Sequence, residues 1–286
     1  MRIIGGHVSI AGGISKAVER AVEREFNGIQ IFASAPQSYS KPSVSPEEID
    51  RFNKLYKENN MQFLVFHAIY LLNLASEKPS LVHASIESLI GYMQFGEKIN
   101  STGTVFHIGS YKERTFDDVK EQLVTSFLKI LEKTPSNQKL IIENAAGGGG
   151  RVGATLGELV YLHNEISSRV PHLGSRVKFC IDTQHLFATG VDTGNKEIFG
   201  KWLKEFDEKI GIEHLVCLHV NDSKTDLGSK HDRHENIGEG KIGIEGFKNI
   251  VHQPLLKNIP LILEVPGFDG VGPDKRNKDI LEEIPQ

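Results

Sequence analysis

The stretch that decides the fold is an apolar run that carries a histidine near its end, His214-Leu215-Val216-Cys217-Leu218-His219-Val220. A run without polar alternation is typical of a parallel strand buried on both faces. It leads into a polar, glycine-containing loop that carries Asp232 and His234. Imidazole and carboxylate groups are common metal ligands, so this strand end predicts part of a metal site. Because these residues supply too few donors for a complete site, we expect further ligands from other strands.

Runs of the same kind recur along the chain, and between them lie segments with helix-start signals, such as those at Ser45, Thr115 and Asp274. The runs are residues 2–8, 28–33, 62–68, 103–108, 139–143, 177–182, 214–220 and 259–265. Eight buried strands alternating with helices predict an α/β fold, a (β/α)₈ TIM barrel. The length of 286 residues permits one such barrel or two smaller domains. No proline- or serine-rich linker marks a boundary, so we expect a single domain over residues 1–286.

Composition bears on the location and the partner of the protein. The two cysteines, Cys180 and Cys217, lie in apolar runs and are predicted to be reduced core residues. No segment has the character of a signal peptide or a membrane span, so we expect a cytoplasmic protein, nucleoid-associated or nuclear, that does not contact a membrane. The net charge of −4 argues against a nucleic-acid partner, yet three bound divalent cations would change it to +2. Net charge therefore does not decide the partner.

From the third predicted strand onward, each strand ends in a potential metal ligand. The six residues are His67, His107, Glu143, Asp182, His219 and Glu264. Neighbouring members are 36 to 45 residues apart, about one strand plus one helix, so we expect all six at the C-terminal rim, where barrel active sites lie. Three further candidates accompany them: His185, Asp232 and His234.

Nine imidazole and carboxylate donors are enough for about three metal ions if one carboxylate is shared. Such donors suit Zn²⁺, with Mn²⁺ or Fe²⁺ at the more oxygen-rich positions. Metal clusters of this kind act on phosphate esters by activating water and stabilising the attacking and leaving oxygens. A single strand-end histidine is more often a hydrogen-bonded structural residue, but here six strand ends would each need separate partners. The set as a whole therefore favours a metal centre.

Other parts of the rim suit an extended phosphate backbone. The run Gly147-Gly148-Gly149-Gly150 precedes Arg151 and offers backbone N–H groups, although it lacks the lysine and hydroxyl of a P-loop. The loop 34–39 after the second strand is a second candidate. Tyr70 is predicted either to stack against a ligand or to be a buried aromatic residue. His7 ends the first strand and is expected to hydrogen-bond to a metal ligand.

Together these motifs resemble the endonuclease IV family (AP endonuclease family 2), the zinc-dependent apurinic/apyrimidinic (AP) endonucleases of base-excision repair. The resemblance covers essentially the whole chain. Its most specific segments are His67-Ala68-Ile69-Tyr70, Cys180-Ile181-Asp182-Thr183-Gln184-His185, His219-Val220-Asn221-Asp222-Ser223-Lys224 and Asp232-Arg233-His234-Glu235-Asn236.

The resemblance implies a trinuclear zinc site, with Mn²⁺ as an alternative at one or more positions, and Glu143 as the catalytic carboxylate. The implied ligands, ion by ion, are His67, His107 and Glu143; Glu143, Asp182, His219 and Glu264; and His185, Asp232 and His234. The partner would be double-stranded DNA that contains abasic sites. Cleavage 5′ to the abasic nucleotide would leave a 3′-hydroxyl and a 5′-deoxyribose phosphate, and a 3′-repair diesterase activity is also implied.

These rim residues and the resemblance together predict a DNA-binding set, which consists of Tyr70, Gln37, Gly148, Gly149 and Arg151. Three positions depart from the family pattern. Gln37 stands where family members often have arginine, Ile69 replaces a frequent proline, and Gln184 replaces a frequent cysteine. No ligand is lost, so we expect the chemistry to be retained and the way DNA is held to differ. We expect a monomer.

Two other classes of protein have to be weighed. A metal-dependent sugar isomerase or epimerase of the same barrel type also places His, Asp and Glu on the rim, around one or two ions. A catalytically idle DNA- or metal-binding protein would bind its ligand without turnover. The number of bound ions and an incision assay distinguish the three.

Overall fold

The fold is a closed barrel of parallel strands, seen in a computed structural model that describes residues 2–34 and 37–284. The barrel strands are β1 (Ile4–His7), β2 (Gly28–Phe32), β3 (Phe63–His67), β4 (Gly103–Phe106), β5 (Lys139–Glu143), β6 (Val177–Asp182), β7 (Leu215–His219) and β10 (Leu261–Leu263). They close in the order β1-β10-β7-β6-β5-β4-β3-β2, and every pair is parallel. The predicted (β/α)₈ TIM barrel is confirmed, and each strand lies within its predicted run.

Helices connect the strands. They are α1 (Ser15–Glu23), α2 (Pro46–Glu58), α3 (Pro79–Lys98), α4 (Phe116–Glu132), α5 (Leu156–Arg169), α6 (Pro171–Gly174), α7 (Thr183–Thr189), α8 (Lys196–Lys209), α9 (Gly243–Val251) and α10 (Lys275–Glu282). Short 3₁₀ segments lie at Gly148–Gly150, Ile212–His214 and Pro254–Leu256. Two strands outside the barrel, β8 (Asp222–Ser223) and β9 (His234–Glu235), pair antiparallel. Within the described ranges, no helix is both long and apolar enough to cross a membrane.

The predicted helix starts at Ser45, Thr115 and Asp274 are confirmed by their hydrogen bonds. Ser45 Oγ accepts from the Glu48 backbone N–H at 3.3 Å, one residue before α2 begins. At α4, the Thr115 backbone N–H donates to the carboxylate of Asp118 at 2.8 Å. Asp274 Oδ1 accepts from the Asn277 backbone N–H at 2.9 Å. Such caps satisfy N–H groups that have no partner inside the helix, and they therefore fix where each helix begins.

The barrel interior is apolar directly beneath the rim. One buried cluster fills it, consisting of Phe63, Val65, Val105, Ile141, Cys180, Cys217 and Ile262. The two cysteines are free and buried, as predicted. Side chains two positions apart on a strand point to the same side. Cys180 and Cys217 point into the barrel, so Asp182 and His219, each two residues further along the same strand, point inward as well. They lie at the mouth of the barrel, because they end β6 and β7.

Candidate metal centre

The predicted ligands converge at the C-terminal mouth of the barrel, and Glu143 lies between them. Its side chain is fully buried. Oε2 lies 3.1 Å from Nε2 of His67 and 3.3 Å from Nε2 of His107. Oε1 lies 2.9 Å from Nδ1 of His219 and 3.3 Å from Nδ1 of His185. Glu143 is thus the carboxylate that several imidazoles share.

A second group of donors surrounds His219. Nδ1 of His219 lies 3.1 Å from Oε2 of Glu264 and 4.0 Å from Oδ2 of Asp182. One ligand atom from each of Glu143, Asp182, His219 and Glu264 lies within 4.8 Å of the other three. The same spacing holds for His67, His107 and Glu143. These two groups match two of the implied ligand sets, with Glu143 common to both.

The third implied set is also brought together, and it has an additional neighbour. Oδ1 of Asp232 lies 3.4 Å from Nε2 of His185 and 3.3 Å from Nε2 of His234. Nε2 of His234 also lies 3.7 Å from Oδ2 of Asp182. Asp182 is therefore positioned between the second and third sets. Asp232 has a side chain that is 41% exposed, so this side of the cluster is open to solvent.

Local sequence explains how Asp182 and His185 come to face the same cluster. Asp182 ends β6 and caps α7, where its Oδ1 accepts from the His185 backbone N–H at 2.8 Å. The Asn221 side-chain amide donates to Oδ2 of Asp182 at 2.6 Å. The Asp182 backbone N–H donates to Oδ1 of Asn144 at 2.7 Å. The carboxylate is therefore fixed on two sides by groups that only donate.

The loop that carries Asp232 is attached to the barrel by two buried polar residues. Asp222 accepts hydrogen bonds from the backbone N–H groups of Gly238 and Gly240, each at 3.0 Å. Gln184 donates from its amide to the His231 carbonyl at 2.9 Å. Gln184, one of the departures from the family pattern, thus holds the backbone next to Asp232.

The hydrogen bonds of the histidines indicate which nitrogen faces the cluster. Nδ1 of His67 lies 2.7 Å from the Ala68 carbonyl, and Nδ1 of His234 lies 3.2 Å from the Glu264 carbonyl. A carbonyl oxygen only accepts, so these Nδ1 atoms carry protons and Nε2 is the nitrogen that can hold a cation. Metal-binding histidines are commonly oriented in this way. Within residues 2–34 and 37–284, Nε2 of His185 and of His234 is buried without a hydrogen-bond partner. The donor set therefore fits divalent cations.

The electrostatics of the cluster match this interpretation. Burial opposes charge on His219, but Glu264 and Glu143 outweigh it and raise the pKa of His219 well above its usual value. Asp182 and Asp232 outweigh burial at His185 and raise its pKa in the same way. Burial also opposes charge on Glu143, yet the surrounding histidines hold its pKa well below the usual range. Burial lowers the pKa of His107 to about 4, so this ligand is already neutral at pH 7. Without metal, His185 and His219 thus hold protons that bound cations would replace.

Two cavities meet at the cluster. One of about 450 Å³ lies over the ligands and includes Tyr70 in its lining. The other, about 920 Å³, is lined by Tyr70, Gly148, Gly149 and Arg151. Four of the five predicted DNA-binding residues therefore line one groove beside the ligands. The interpretation of Tyr70 as a buried aromatic residue is wrong, because it is 69% exposed.

Gln37 is the predicted DNA-binding residue that the structure does not bring to this groove. It is exposed on the loop after β2. Among the described residues, it lines neither of the two cavities. The neighbouring residues of the predicted loop 34–39, positions 35 and 36, lie outside the described residues.

The glycine run is packed against its neighbours. A side chain at Gly148 would place its Cβ 2.5 Å from the carbonyl oxygen of Lys230. Gly149 has a φ of 64°, which favours glycine. The Tyr111 backbone N–H donates to the Gly150 carbonyl at 3.0 Å. Three loops thus form one wall of the groove, and Lys230 and Arg233 add two cations that the sequence did not single out.

Several other contributors to the site were also missed from the sequence. Gln30 contacts His219 and Glu264, whereas Asn144 and Asn221 contact Asp182. A signal was present in each case. Gln30 is a polar residue inside an apolar strand, and the two asparagines directly follow strand-end runs.

Comparisons with known proteins agree with the fold and the site. A family model described as a xylose isomerase-like TIM barrel matches residues 18–285. A probable endonuclease 4 from Halothermothrix orenii is 36% identical over 277 residues, which cover 97% of this chain and 96% of that protein. Apurinic-apyrimidinic endonuclease 1 of Saccharomyces cerevisiae is 34% identical over 283 residues, 97% of this chain and 76% of that protein.

Solved structures give the same result. Endonuclease IV from Thermus thermophilus superposes with a TM-score of 0.84 at 33% identity, covering 98% of both chains. A D-tagatose 3-epimerase-like protein superposes with a TM-score of 0.71 at 19% identity, covering 98% of this chain and 96% of that chain, and shares the barrel fold. Fold, clustered donors and relatives together define a nuclease hydrolase on a xylose isomerase-like TIM barrel. The chain belongs to the endonuclease IV family.

Proposed function

We propose that the protein hydrolyses the phosphodiester 5′ to abasic sites in double-stranded DNA. The products are a 3′-hydroxyl and a 5′-deoxyribose phosphate, and the proposal includes 3′-repair diesterase activity. The observation that carries it is the convergence of Glu143 and eight other imidazole and carboxylate residues beside a groove of about 920 Å³. Family membership and the apurinic-apyrimidinic name of the yeast relative support this choice of substrate.

The proposed cofactor is three Zn²⁺ ions, with Mn²⁺ as an alternative at one or more positions. The holding residues are those of the three sets around Glu143, around His219 and Glu264, and around His185 and Asp232. Such ions supply positive charge that activates water and stabilises the oxygens of an in-line displacement. Imidazole and carboxylate donors with their lone pairs directed inward support this assignment.

The protein's own residues carry the remaining roles. Glu143 is the proposed catalytic carboxylate, because it is buried and its two oxygens face different histidines. Tyr70 is the proposed stacking residue at the mouth, where its ring centroid lies 5.9 Å from that of His67. Arg151 and the N–H groups of Gly148 and Gly149 are proposed to hold the phosphate backbone. Gln37 is proposed to contact DNA from outside the groove.

A sugar isomerase or epimerase remains a weaker candidate. The epimerase-type structures are 12% to 19% identical to this chain and share only its fold. Relatives that are 34% to 36% identical to this chain carry endonuclease names. The cations that line the groove, Arg151, Lys230 and Arg233, suit a phosphate backbone better than an uncharged sugar.

One assay tests the proposal. The purified protein is incubated with a duplex that contains a single tetrahydrofuran abasic analogue and with the intact duplex, with and without a chelator. We expect incision of the abasic duplex alone, loss of incision with the chelator and recovery when Zn²⁺ is restored. Incision of both duplexes, or turnover that a chelator leaves unchanged, contradicts the proposal. A count of about three bound ions separates the nuclease from the isomerase.

A further inference from the structure

Gln30 is a buried amide in an otherwise apolar strand. It lies in β2, and its side chain is inaccessible to solvent. Its Oε1 is 2.8 Å from Nε2 of His219, and its Nε2 is 2.6 Å from Oε1 of Glu264. The same Nε2 lies 3.0 Å from Nδ1 of His7. Burying an amide is unfavourable unless it is hydrogen-bonded, and these partners satisfy both ends of the group.

Glu264 determines the orientation of this amide. A carboxylate oxygen at 2.6 Å can only accept, so the NH₂ group of Gln30 must face Glu264. The amide oxygen then faces Nε2 of His219 and can only accept in turn. Nε2 of His219 therefore carries a proton whether or not the ring is charged. Nδ1 is the nitrogen that would give up its proton and offer a lone pair to a bound cation. Nδ1 is the nitrogen that lies 2.9 Å from Glu143 and 3.1 Å from Glu264.

Gln30 also distinguishes the two oxygens of Glu264. Oε1 accepts from Gln30 and lies 3.3 Å from Nδ1 of His7. Oε2 faces Nδ1 of His219 within the cluster. Oε1 thus contacts Gln30 and His7, which are not ligands, whereas Oε2 faces the ligand His219.

We propose that Gln30 is a positioning residue that fixes the Nε2–H tautomer of His219 and directs Oε2 of Glu264 toward the cation these two residues share. This rests on the proposed metal centre. An amide suits the position because it places a donor and an acceptor on neighbouring atoms. Methionine has a similar length without either group, and glutamate would set a second carboxylate against Glu264.

The chain offers a matched control in Gln138. It is also buried, its Oε1 accepts from Ser101 Oγ at 3.1 Å and its Nε2 donates to the Ser101 carbonyl at 2.9 Å. Gln138 directly precedes β5 and therefore lies at the opposite end of the barrel from the ligands. Gln138→Met removes bonds of the same kind without touching the cluster.

The test is a Zn²⁺ titration of the metal-free full chain against a competing chromophoric chelator. For Gln30→Met we expect the affinity for one ion to fall ~10–100-fold, the range seen when a partner of a metal ligand is removed. The remaining ions should bind as in the wild type, and Gln138→Met should bind every ion as the wild type does. Gln30→Glu should also lower the affinity for that ion. A folded Gln30→Met protein with wild-type affinities overturns the proposal.

A second measurement needs no variant. Histidine-selective isotope labelling and NMR of the zinc-loaded wild type report which nitrogen of His219 carries the proton. We expect Nε2–H, whereas Nδ1–H overturns the proposal even if Gln30→Met fails to fold. Failure of the proposed function is visible separately. A zinc-loaded wild type that does not incise abasic DNA refutes that function and leaves the Gln30 result intact, whereas a wild type that takes up no zinc refutes both.

Discussion

The inner ligands and the groove residues of this site differ in how firmly the protein holds them. The inner ligands, Glu143, Asp182 and His219, are inaccessible to solvent, and each is within hydrogen-bond distance of other buried groups. The groove residues Tyr70 and Arg151 are exposed on loops. Rigid, fully bonded groups suit chemistry that needs fixed geometry, whereas exposed loops suit a large, deformable ligand. Changes to the inner ligands should therefore affect metal binding and turnover, and changes to the groove should affect DNA binding.

The strongest test of this division is the substitution Glu143→Gln. The amide keeps the shape but removes the charge that the surrounding histidines face. We expect turnover on an abasic duplex to fall by ~10²–10⁴-fold or more, the range for loss of an acid–base group. Binding of the duplex, followed by fluorescence anisotropy, should stay close to wild type.

Glu235→Gln is the control for that experiment, because Glu235 lies on the same side of the barrel and pairs with Lys224 at 3.7 Å. It should keep wild-type turnover. If Glu143→Gln incises at the wild-type rate, the inner cluster is not the catalytic centre.

The stability that the protein gains on binding zinc should depend on pH, and this dependence should come from the ligands and not from the groove residues. The pKa values of His185 and His219 are raised in the folded, metal-free protein, so their stabilisation is present below pH 6.5 and is lost as pH rises through the raised values. Zinc needs deprotonated imidazole and binds more tightly as pH rises. The increase in Tm on adding zinc should therefore grow from acidic to alkaline pH.

Differential scanning fluorimetry of chelated and zinc-restored protein measures that increase. In a chain of this size, each kcal/mol should change Tm by ~2–4 °C. A gain in Tm that is the same at every pH would show that zinc does not displace protons from these histidines. The Tyr70→Ala variant should follow the wild-type curve, since Tyr70 is not a ligand.

Tyr70→Ala should weaken binding of abasic DNA more than it slows turnover. Stacking of a base on an aromatic side chain contributes ~1–3 kcal/mol, so we expect the Kd to rise by ~5–150-fold. Turnover at saturating DNA should fall much less. Tyr70→Phe retains the ring and should bind like the wild type. A Tyr70→Ala protein with unchanged Kd and lost turnover would place Tyr70 with the inner ligands.

The same division explains how much of the site could be predicted from sequence. His67, Glu143, Asp182 and His219 were predictable because strand ends in a parallel barrel recur at the same height. Gln30 stands out only as a polar residue in an apolar strand, and its partner Glu264 is 234 positions away, so the local sequence does not show which residues it contacts. The hairpin that places His234 opposite Ser223 has strands of only two residues, too short to give a periodic pattern.

The groove residues were harder to predict from sequence, because the conformation of a loop depends on packing between distant segments. The position of Gly148 depends on Lys230, and that of Gly150 on Tyr111. The glycine run indicated a flexible backbone, but it did not indicate which residues pack against it. Lys230 and Arg233 line the groove because they lie on the same loop as Asp232. The spacing of residues in the sequence does not show that this loop borders the groove.

Gln37→Arg should give the smallest effect and decides whether the groove residues extend to the loop after β2. Gln37 is exposed and stands where the resemblance to endonuclease IV leads one to expect arginine. If the loop contacts DNA, the added cation should meet one further phosphate. The slope of log Kd against log salt should then steepen by about 1, with little change in turnover.

Gln62→Arg is the control for this variant. It adds the same charge at an exposed position that immediately precedes β3, at the opposite end of the barrel, and should leave the slope unchanged. Equal slopes in both variants would confine DNA contact to the groove and remove Gln37 from the DNA-binding set.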